Sequence, residues 1–317
     1  MNTVQNDNHN TIMELKDVTK VFRRGFFRKE NIYAVNHISF NLYQGNIVSL
    51  IGESGSGKTT TGKMILKLLK PTSGNIYYRG RDINLIKSAP QKVEYYKDVQ
   101  AVFQEPFASF NPLFRVDRIF DMVFSSLLPA IKSHDEREEQ VHTVLRSVHL
   151  EPREVLQKYP HQLSGGQLQR LLIARALLLH ARILVADELI SMLDASTRVG
   201  VLNLLGELAY RKGLAVIFIT HDLSLGFYMS DKSLIMYNGR LVETGDTEKV
   251  YNEAVHPYTK LLLNSVPDIG FRWNMDKEFN PEHIGSDIDN FYNKNRNRYP
   301  KGLVQTGDGD HKVMYTL

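Results

Sequence analysis

The chain has no cysteine, which excludes disulfides, thiolate metal sites and cysteine nucleophiles. It lacks any apolar run near the roughly 20 residues that a membrane-crossing helix needs. The longest candidate, residues 171–179, is short and interrupted by Arg175. No internal repeat and no sustained heptad pattern is present. Residues 1–11 are polar and rich in Asn, without the basic start and apolar centre of a secretory signal, and are read as a disordered leader. Together these absences fit a cytoplasmic protein. Charge of one sign is also in short supply. Lys and Arg number 39 against 35 Asp and Glu, leaving a net charge of +4. The basic clusters at Arg23, Arg24, Arg28 and Lys29 and at 294–301 read as solvated loop charge rather than a lipid or nucleic-acid site. What is present is apolar bulk: 42% of 317 residues are hydrophobic, enough for a large core in one or two domains.

Against that background one run stands out, Gly52-Glu53-Ser54-Gly55-Ser56-Gly57-Lys58-Thr59-Thr60. It meets the phosphate-loop pattern G-x-x-x-x-G-K-[ST] at every fixed position. Residues 46–51 read as a buried strand before it and residues 60–69 as a helix after it. Strand, glycine loop and helix start gather backbone N–H groups around one anion. The glycines let the backbone approach phosphates. Lys58 supplies a point charge to β/γ oxygens and the Thr59 hydroxyl can ligate Mg²⁺. The chain is therefore expected to bind a nucleoside triphosphate. A plain Gly/Ser turn is the bland reading, and the flanking strand and helix argue against it.

Residues 183–186 and 215–220 are continuously apolar and end in Asp187-Glu188 and His221. Both read as strands buried on two faces, hence a parallel sheet covered by helices. Asp187 could hold a Mg²⁺ shell, and Glu188 would stand on the γ-phosphate side, where a general base belongs. Residues 13–18 and 38–42 read as strands, residues 76–78 as another, and 234–244 as a hairpin turning at Asn238-Gly239. Residues 106–179 turn helical, and a helix opening at His134 carries Val141, Val144, Leu145, Val148 and Leu150. Leu163-Ser164-Gly165-Gly166-Gln167 precedes a helical run and makes a second anion-binding helix start, or else an ordinary Ser cap with flexible glycines. One triphosphate rarely needs two cradles. The second would serve a nucleotide held by another chain.

Phosphate loop, LSGGQ run and Asp187-Glu188 occur in the order and spacing that resemble the ATP-binding-cassette (ABC) ATPases. The resemblance spans about residues 13–250. It implies an α/β P-loop NTPase with a RecA-like mixed sheet, an antiparallel β subdomain, an inserted helical subdomain and a short C-terminal extension. Further positions match residue by residue. Gln104 resembles the Q-loop glutamine, a Mg²⁺ ligand that senses the membrane partner. Ser191-Met192-Leu193-Asp194 resembles the D-loop, and His221 the switch histidine. Phe22 stands where the family places an adenine-stacking aromatic, although a core aromatic fits equally. A narrower resemblance, to the dipeptide/oligopeptide/nickel importer ATPases and to the second of their two paired ATPases, rests on residues 103–112, on Tyr159-Pro160-His161-Gln162 and on His256-Pro257-Tyr258-Thr259-Lys260-Leu261-Leu262.

That resemblance implies ATP and Mg²⁺ as cofactors. It also implies a second, similar ATPase subunit, two transmembrane permease subunits and an extracellular substrate-binding protein as partners. No nucleic-acid partner is expected. The location implied is the cytoplasmic face of the cell membrane. Expected boundaries are a leader over 1–11, a nucleotide-binding domain over 12–255 with its helical part at about 106–179, and an extension over 256–317, of which the residues after about 267 read as an appended or loosely packed segment docking onto the paired ATPase. Leu189 and Ile190 replace the usual proline after Asp187-Glu188 and are expected to loosen that turn. Leu168 stands where Arg is common. A DNA- or ribosome-directed ABC ATPase, an exporter and a P-loop kinase or GTPase are the rival readings. The first is disfavoured by the single cassette, the second by residues 107–112 and 257–259, the third by LSGGQ and His221. Peptide, nickel and metallophore cargo all stay open.

Overall fold

In the computed structural model, residues 11–24, 30–265, 284–296, 302–306 and 310–316 are described. Most of the expected leader and residues 266–283 lie outside them. The chain begins with two long antiparallel strands, β1 (Thr11–Arg24) and β2 (Glu30–Tyr43). Only fragments of these are readable from the alternation of apolar residues, for a local reason. Asp17 and His37 adopt left-handed backbone (φ 51 and 54) and pair with each other at 2.7 Å. The register of the two strands shifts between Leu15 and Val18. An irregularity of this kind resets which face each residue occupies, so the period-2 pattern breaks there.

Strand β3 (Ile47–Ile51) leads through the phosphate loop into α1 (Lys58–Ile65). Strands β4 (Ser73–Tyr78) and β5 (Arg81–Asp82) then complete a four-stranded antiparallel sheet in the order β2-β1-β4-β5. Helix α2 (Ala89–Asp98) delivers β6 (Val99–Val102). From here to residue 182 the regular elements are helices joined by loops: α3 (Arg118–Ser126), α4 (His134–Ser147), the short α5 (Pro152–Val155) and α6 (Gly165–Leu178). Ser133 caps α4 by accepting from the N–H of Glu136. Phe120, Phe124, Leu145, Leu168 and Leu172 of this block share one apolar cluster with Leu184 and Phe218 of the sheet that follows. The helices are thereby fixed to the sheet rather than tethered to it. Leu168, at the position where Arg was expected, is fully buried in that cluster.

Strands β7 (Ile183–Asp187) and β8 (Ala215–Thr220) flank α7 (Ala195–Lys212). Helix α8 (Leu223–Met229) precedes the hairpin β9 (Lys232–Tyr237) and β10 (Arg240–Asp246), which turns at Asn238-Gly239 as the sequence predicts. Helices α9 (Thr247–Asn252), α10 (Pro257–Asn264) and α11 (Ile284–Asn295) and strands β11 (Gly302–Gln305) and β12 (Lys312–Thr316) follow. The second sheet has eight strands in the order β11-β12-β10-β9-β3-β8-β7-β6. Its strands β9, β3, β8, β7 and β6 pair in parallel, and β10, β12 and β11 add antiparallel pairings at one side. Every residue of β3, β7 and β8 is buried, the state of strands covered on both faces.

The described C-terminal residues are not a loose appendage. Strand β12 pairs with β10 through Glu243↔Val313 and Thr244↔Lys312, and Ile288, Tyr292, Val313 and Met314 are buried. Charge holds this seam together. Glu243 is fully buried and accepts from the N–H groups of Val255 (2.9 Å) and His256 (3.1 Å) and from Nε2 of buried His311 (2.7 Å). A buried carboxylate persists only with such partners. Glu243→Ala strands three donors and is expected to lower unfolding free energy by about 3–5 kcal/mol, with Glu243→Gln losing less. Thermal and urea melts of the full chain check this, and an unchanged Glu243→Ala melt would show the seam to be incidental.

Candidate functional site

The phosphate loop spans the end of β3 and the first turn of α1. Gly57 sits at the helix N-cap with φ 110. A Cβ there would lie 2.2 Å from the carbonyl oxygen of Ala34, and one at Gly52 would lie 2.1 Å from that of Met236. These two glycines therefore let the loop seat against β2 and β9. Gly55 (φ 84) has open space around its would-be Cβ, and left-handed backbone rather than crowding favours glycine there. The sequence reading assigned all three glycines to the phosphate side, and the structure gives two of them a packing reason as well.

Lys58 is buried, and its Nζ donates to the carbonyls of Gly52 (2.6 Å) and Glu53 (2.7 Å). Desolvation pulls this ammonium below its ordinary pKa, opposed by the nearby charges of Glu188, Asp187 and Glu53. Asp187 is the mirror case. Burial pushes its carboxyl above the usual range, partly offset by the 3.3 Å hydrogen bond from the Thr59 hydroxyl. A buried cation and a buried acid, each held away from its preferred state, is the arrangement a charged ligand relieves.

Glu188 follows β7 with left-handed backbone (φ 48), and its N–H donates to Ile219 of β8 at 3.0 Å. That kink turns its side chain toward His221 at the end of β8, with Nδ1 3.2 Å from Glu188 Oε1. A non-glycine residue held in this region is strained, and such strain gathers at functional positions. The turn beyond it is not loosened by the missing proline. Leu189 and Ile190 are buried, the Ser191 N–H and hydroxyl both bond the Glu188 carbonyl, and Gln169 of α6 donates its side-chain amide to the Leu189 carbonyl.

Ser54, Thr59, Gln104, Asp187, Glu188 and His221 line one open cleft of about 950 Å³, with Lys63 one turn beyond Thr59. Gln104 arrives from the end of β6. Three side chains here offer hard oxygen donors, the Thr59 hydroxyl, the Asp187 carboxylate and the Gln104 amide. That set suits Mg²⁺, which binds through one or two carboxylates plus phosphates and keeps several waters. Among the described residues no cluster of three His, Cys, Asp or Glu could hold a metal alone.

Ser164, Gly165, Gly166, Gln167, Asp194 and Phe22 do not line this cleft, and of the phosphate loop Glu53, Ser54 and Thr59 line it while Lys58, Ser56, Thr60 and the three glycines do not. Ser164 caps α6: its hydroxyl accepts from Gln167 N–H (3.2 Å) while Gln167 Oε1 accepts from Ser164 N–H (3.0 Å). The first-turn N–H groups of Gly165 and Gly166 have no partner inside the helix. A Cβ on Gly166 would meet Thr197 Cγ2 at 2.2 Å, and one on Gly165 would meet Leu193 at 3.3 Å. The two helix starts thus pack glycine to side chain. Asp194 caps α7 by accepting from Thr197 N–H and the Ser196 hydroxyl, which hold its carboxyl well below the usual range. Phe22 lies exposed on β1 with the Lys20 ammonium over its ring. One contact to the loop was not legible as such: the Tyr258 hydroxyl of α10 accepts from Glu53 N–H at 2.9 Å. Its His-Pro-Tyr-Thr context was visible in the sequence, but 205 positions separate the partners.

Comparison with known proteins agrees with this geometry. Residues 35–191 match the ABC transporter family, and residues 242–286 match the oligopeptide/dipeptide transporter C-terminal region. The chain is 39% identical over 275 residues to the oligopeptide transport ATP-binding protein AppF of Bacillus subtilis, covering 86% of this chain and 83% of the relative. It is 37% identical over 299 residues to OppF of Lactococcus lactis, covering 91% and 92%. Among solved structures, the dimeric post-hydrolysis state of the ATP-binding cassette MJ0796 with ADP and phosphate superposes with a TM-score of 0.64 at 30% identity, over 74% of this chain and 98% of that one. With a phosphate loop at its parallel strand ends, an LSGGQ helix start outside the same cleft, and that degree of kinship over most of its length, this chain belongs to the ABC transporter ATPases.

Proposed function

We propose that this chain is an ATP-hydrolysing subunit that powers import of oligopeptides or dipeptides through a membrane transporter, working by closure of two such subunits around ATP. The Glu188–His221 pair carries the reading: a carboxylate held beside an imidazole, in the same cleft as the phosphate loop, while the LSGGQ helix start lies outside that cleft. The names of the relatives and the match to the oligopeptide/dipeptide C-terminal region support peptide as cargo.

Lys58 would bring a fixed positive charge to the β/γ-phosphates. Glu188 would take the proton of the attacking water, and His221 would hold the carboxylate in line and contact the γ-phosphate. Thr59, Asp187 and Gln104 would hold Mg²⁺, which when bound neutralises charge across the phosphates. The Ser164 hydroxyl and the N–H groups of Gly165 and Gly166 from a second, similar subunit would close over the γ-phosphate as a second cradle. Asp194 would stand at the seam between the two. Phe22 would stack on adenine from the antiparallel sheet. Cassette boundaries of 12–255, with 256–317 as the extension, fit this division of labour.

No helix among the described residues is long and apolar enough to cross a membrane. Attachment to the cytoplasmic face would therefore run through two permease subunits, with an extracellular binding protein selecting cargo. The stretch after Gln104 is suited to receive their helices, since Phe107, Leu113 and Met122 are exposed there, Leu113 to 79%.

Two outcomes test the reading. Glu188→Gln is expected to lower ATP turnover by about 100-fold or more while ATP binding persists, and to accumulate as an ATP-bound dimer on size exclusion. Turnover at the parent rate would remove Glu188 as the base. Ser164→Ala is expected to leave ATP affinity of the isolated chain within about twofold, because the hydroxyl is remote from its own cleft, while ATP-driven dimerisation falls. Full turnover by a strictly monomeric species would refute the composite site.

A further inference from the structure

The peptide group between Gly52 and Glu53 is gripped at both ends. Its carbonyl accepts from Lys58 Nζ at 2.6 Å, and its N–H donates to the Tyr258 hydroxyl at 2.9 Å. One amide thus joins the lysine of the phosphate loop to a residue in the C-terminal region. A donor bound at the carbonyl and an acceptor bound at the N–H polarise an amide in the same sense, and each bond strengthens the other.

Tyr258 is built to hold still. It is fully buried, and burial pushes its phenol above the ordinary value, so the hydroxyl stays neutral. Its ring packs on Tyr237 at 4.4 Å between centroids. Its own N–H donates to His256 Nδ1 at 3.2 Å. Desolvation lowers the His256 imidazole to about 3, so the ring is neutral. With Nδ1 accepting, the proton sits on Nε2 and is donated to the Tyr292 hydroxyl of α11 at 3.1 Å. The backbone of Val255 and His256 hangs from Glu243, which His311 also bonds. Hydrogen bonds therefore link His311, just before β12, and Tyr292 of α11, through the His256–Tyr258 segment, to the phosphate loop.

We propose that Tyr258 is a positioning residue for Lys58, fixing through the Gly52–Glu53 peptide where the ammonium stands to meet a nucleotide's β/γ-phosphates, so that the C-terminal region sets nucleotide affinity. This rests on the ATPase reading above and extends it. The fold has a simpler use for a buried tyrosine, which is to anchor α10, and the two roles differ in what they do to different nucleotides. An anchor affects the whole chain, whereas a hold on Lys58 affects only ligands carrying the phosphates that the ammonium reaches.

The test uses the full chain with Tyr258→Phe, which keeps the ring on Tyr237 and removes the acceptor. The Kd for MgATP is expected to rise about three- to tenfold, the size of one lost hydrogen bond. The affinity for AMP, measured by competition, and the nucleotide-free melting temperature are expected to stay at parent values. Placed on Lys58→Ala, the same change is expected to add no further loss. An unchanged MgATP Kd, a parallel loss for AMP, a second loss of similar size on Lys58→Ala, or a fall in melting temperature with nucleotide affinity intact would each overturn the proposal. A parent chain that does not bind MgATP would instead sink the ATPase reading. A parent that binds, with a variant indistinguishable from it, sinks this inference alone.

Discussion

Parallel pairing of four neighbouring strands is the constraint from which the rest of this molecule follows. β3, β8, β7 and β6 run side by side in one direction, with Ile51 opposite Thr220, Ile219 opposite Asp187 and Ala186 opposite Val102. Their carboxyl ends therefore stand in a row at one edge. The phosphate loop, His221, the Asp187-Glu188 pair and Gln104 each leave the sheet from one of those ends. Ligands of open α/β sheets bind along such an edge because the side chains of several strands converge there without crossing the core. The pairing itself rests on cover of both faces, by the helical block and α7 on one side and by α1 and the antiparallel sheet on the other, where the sequence alone suggests helices on both.

At that edge, burial sets the electrostatics. Lys58 and Asp187 are both desolvated, and each is held off its ordinary pKa in the direction that disfavours its charge. Under the proposed function a triphosphate would bring the negative charge that favours the Lys58 ammonium, and a divalent cation the positive charge that favours the Asp187 carboxylate. Around this centre the backbone is shaped at a few points. Gly57 and Gly52 allow the loop to press on neighbouring carbonyls, and Glu188 accepts a left-handed kink so that its carboxylate meets His221. On the outside, α6 and α7 begin together, each capped by its own side chain, with Gly166 against Thr197. That second helix start does not line the cleft, so under the proposed closure a nucleotide bound there would meet one only from another chain.

The C-terminal region is bound into this machinery by polar contacts. Glu243, buried and triply bonded, ties β10, the residue before β12 and the segment before α10 into one seam. Leaving any of its partners unmatched in a dry environment is costly. Its far end is the amide that also holds Lys58. The match of residues 242–286 to the oligopeptide/dipeptide C-terminal region thus falls on residues that reach back to the cassette's phosphate loop.

By itself the sequence determined the chemistry and its order along the chain. The phosphate loop, Asp187-Glu188, His221 and the serine-capped LSGGQ helix were legible because each is local: a strand end, a loop and a helix start are fixed by a few adjacent residues. Continuous apolar runs likewise mark β7 and β8, and the mostly apolar stretch before the phosphate loop marks β3. Longer strands were truncated in that reading where Asp17 and His37 break the alternation, and Val148 and Leu150 were read into a helix that ends at Ser147. The tertiary structure alone decided which motifs share a cleft and which stand outside it. It also decided that a buried leucine keeps the turn after Glu188 tight, and that Tyr258 reaches Glu53 across 205 positions. These depend on pairing between distant segments, and pairing is a property of how buried faces and hydrogen bonds are satisfied together, which no short window of sequence contains.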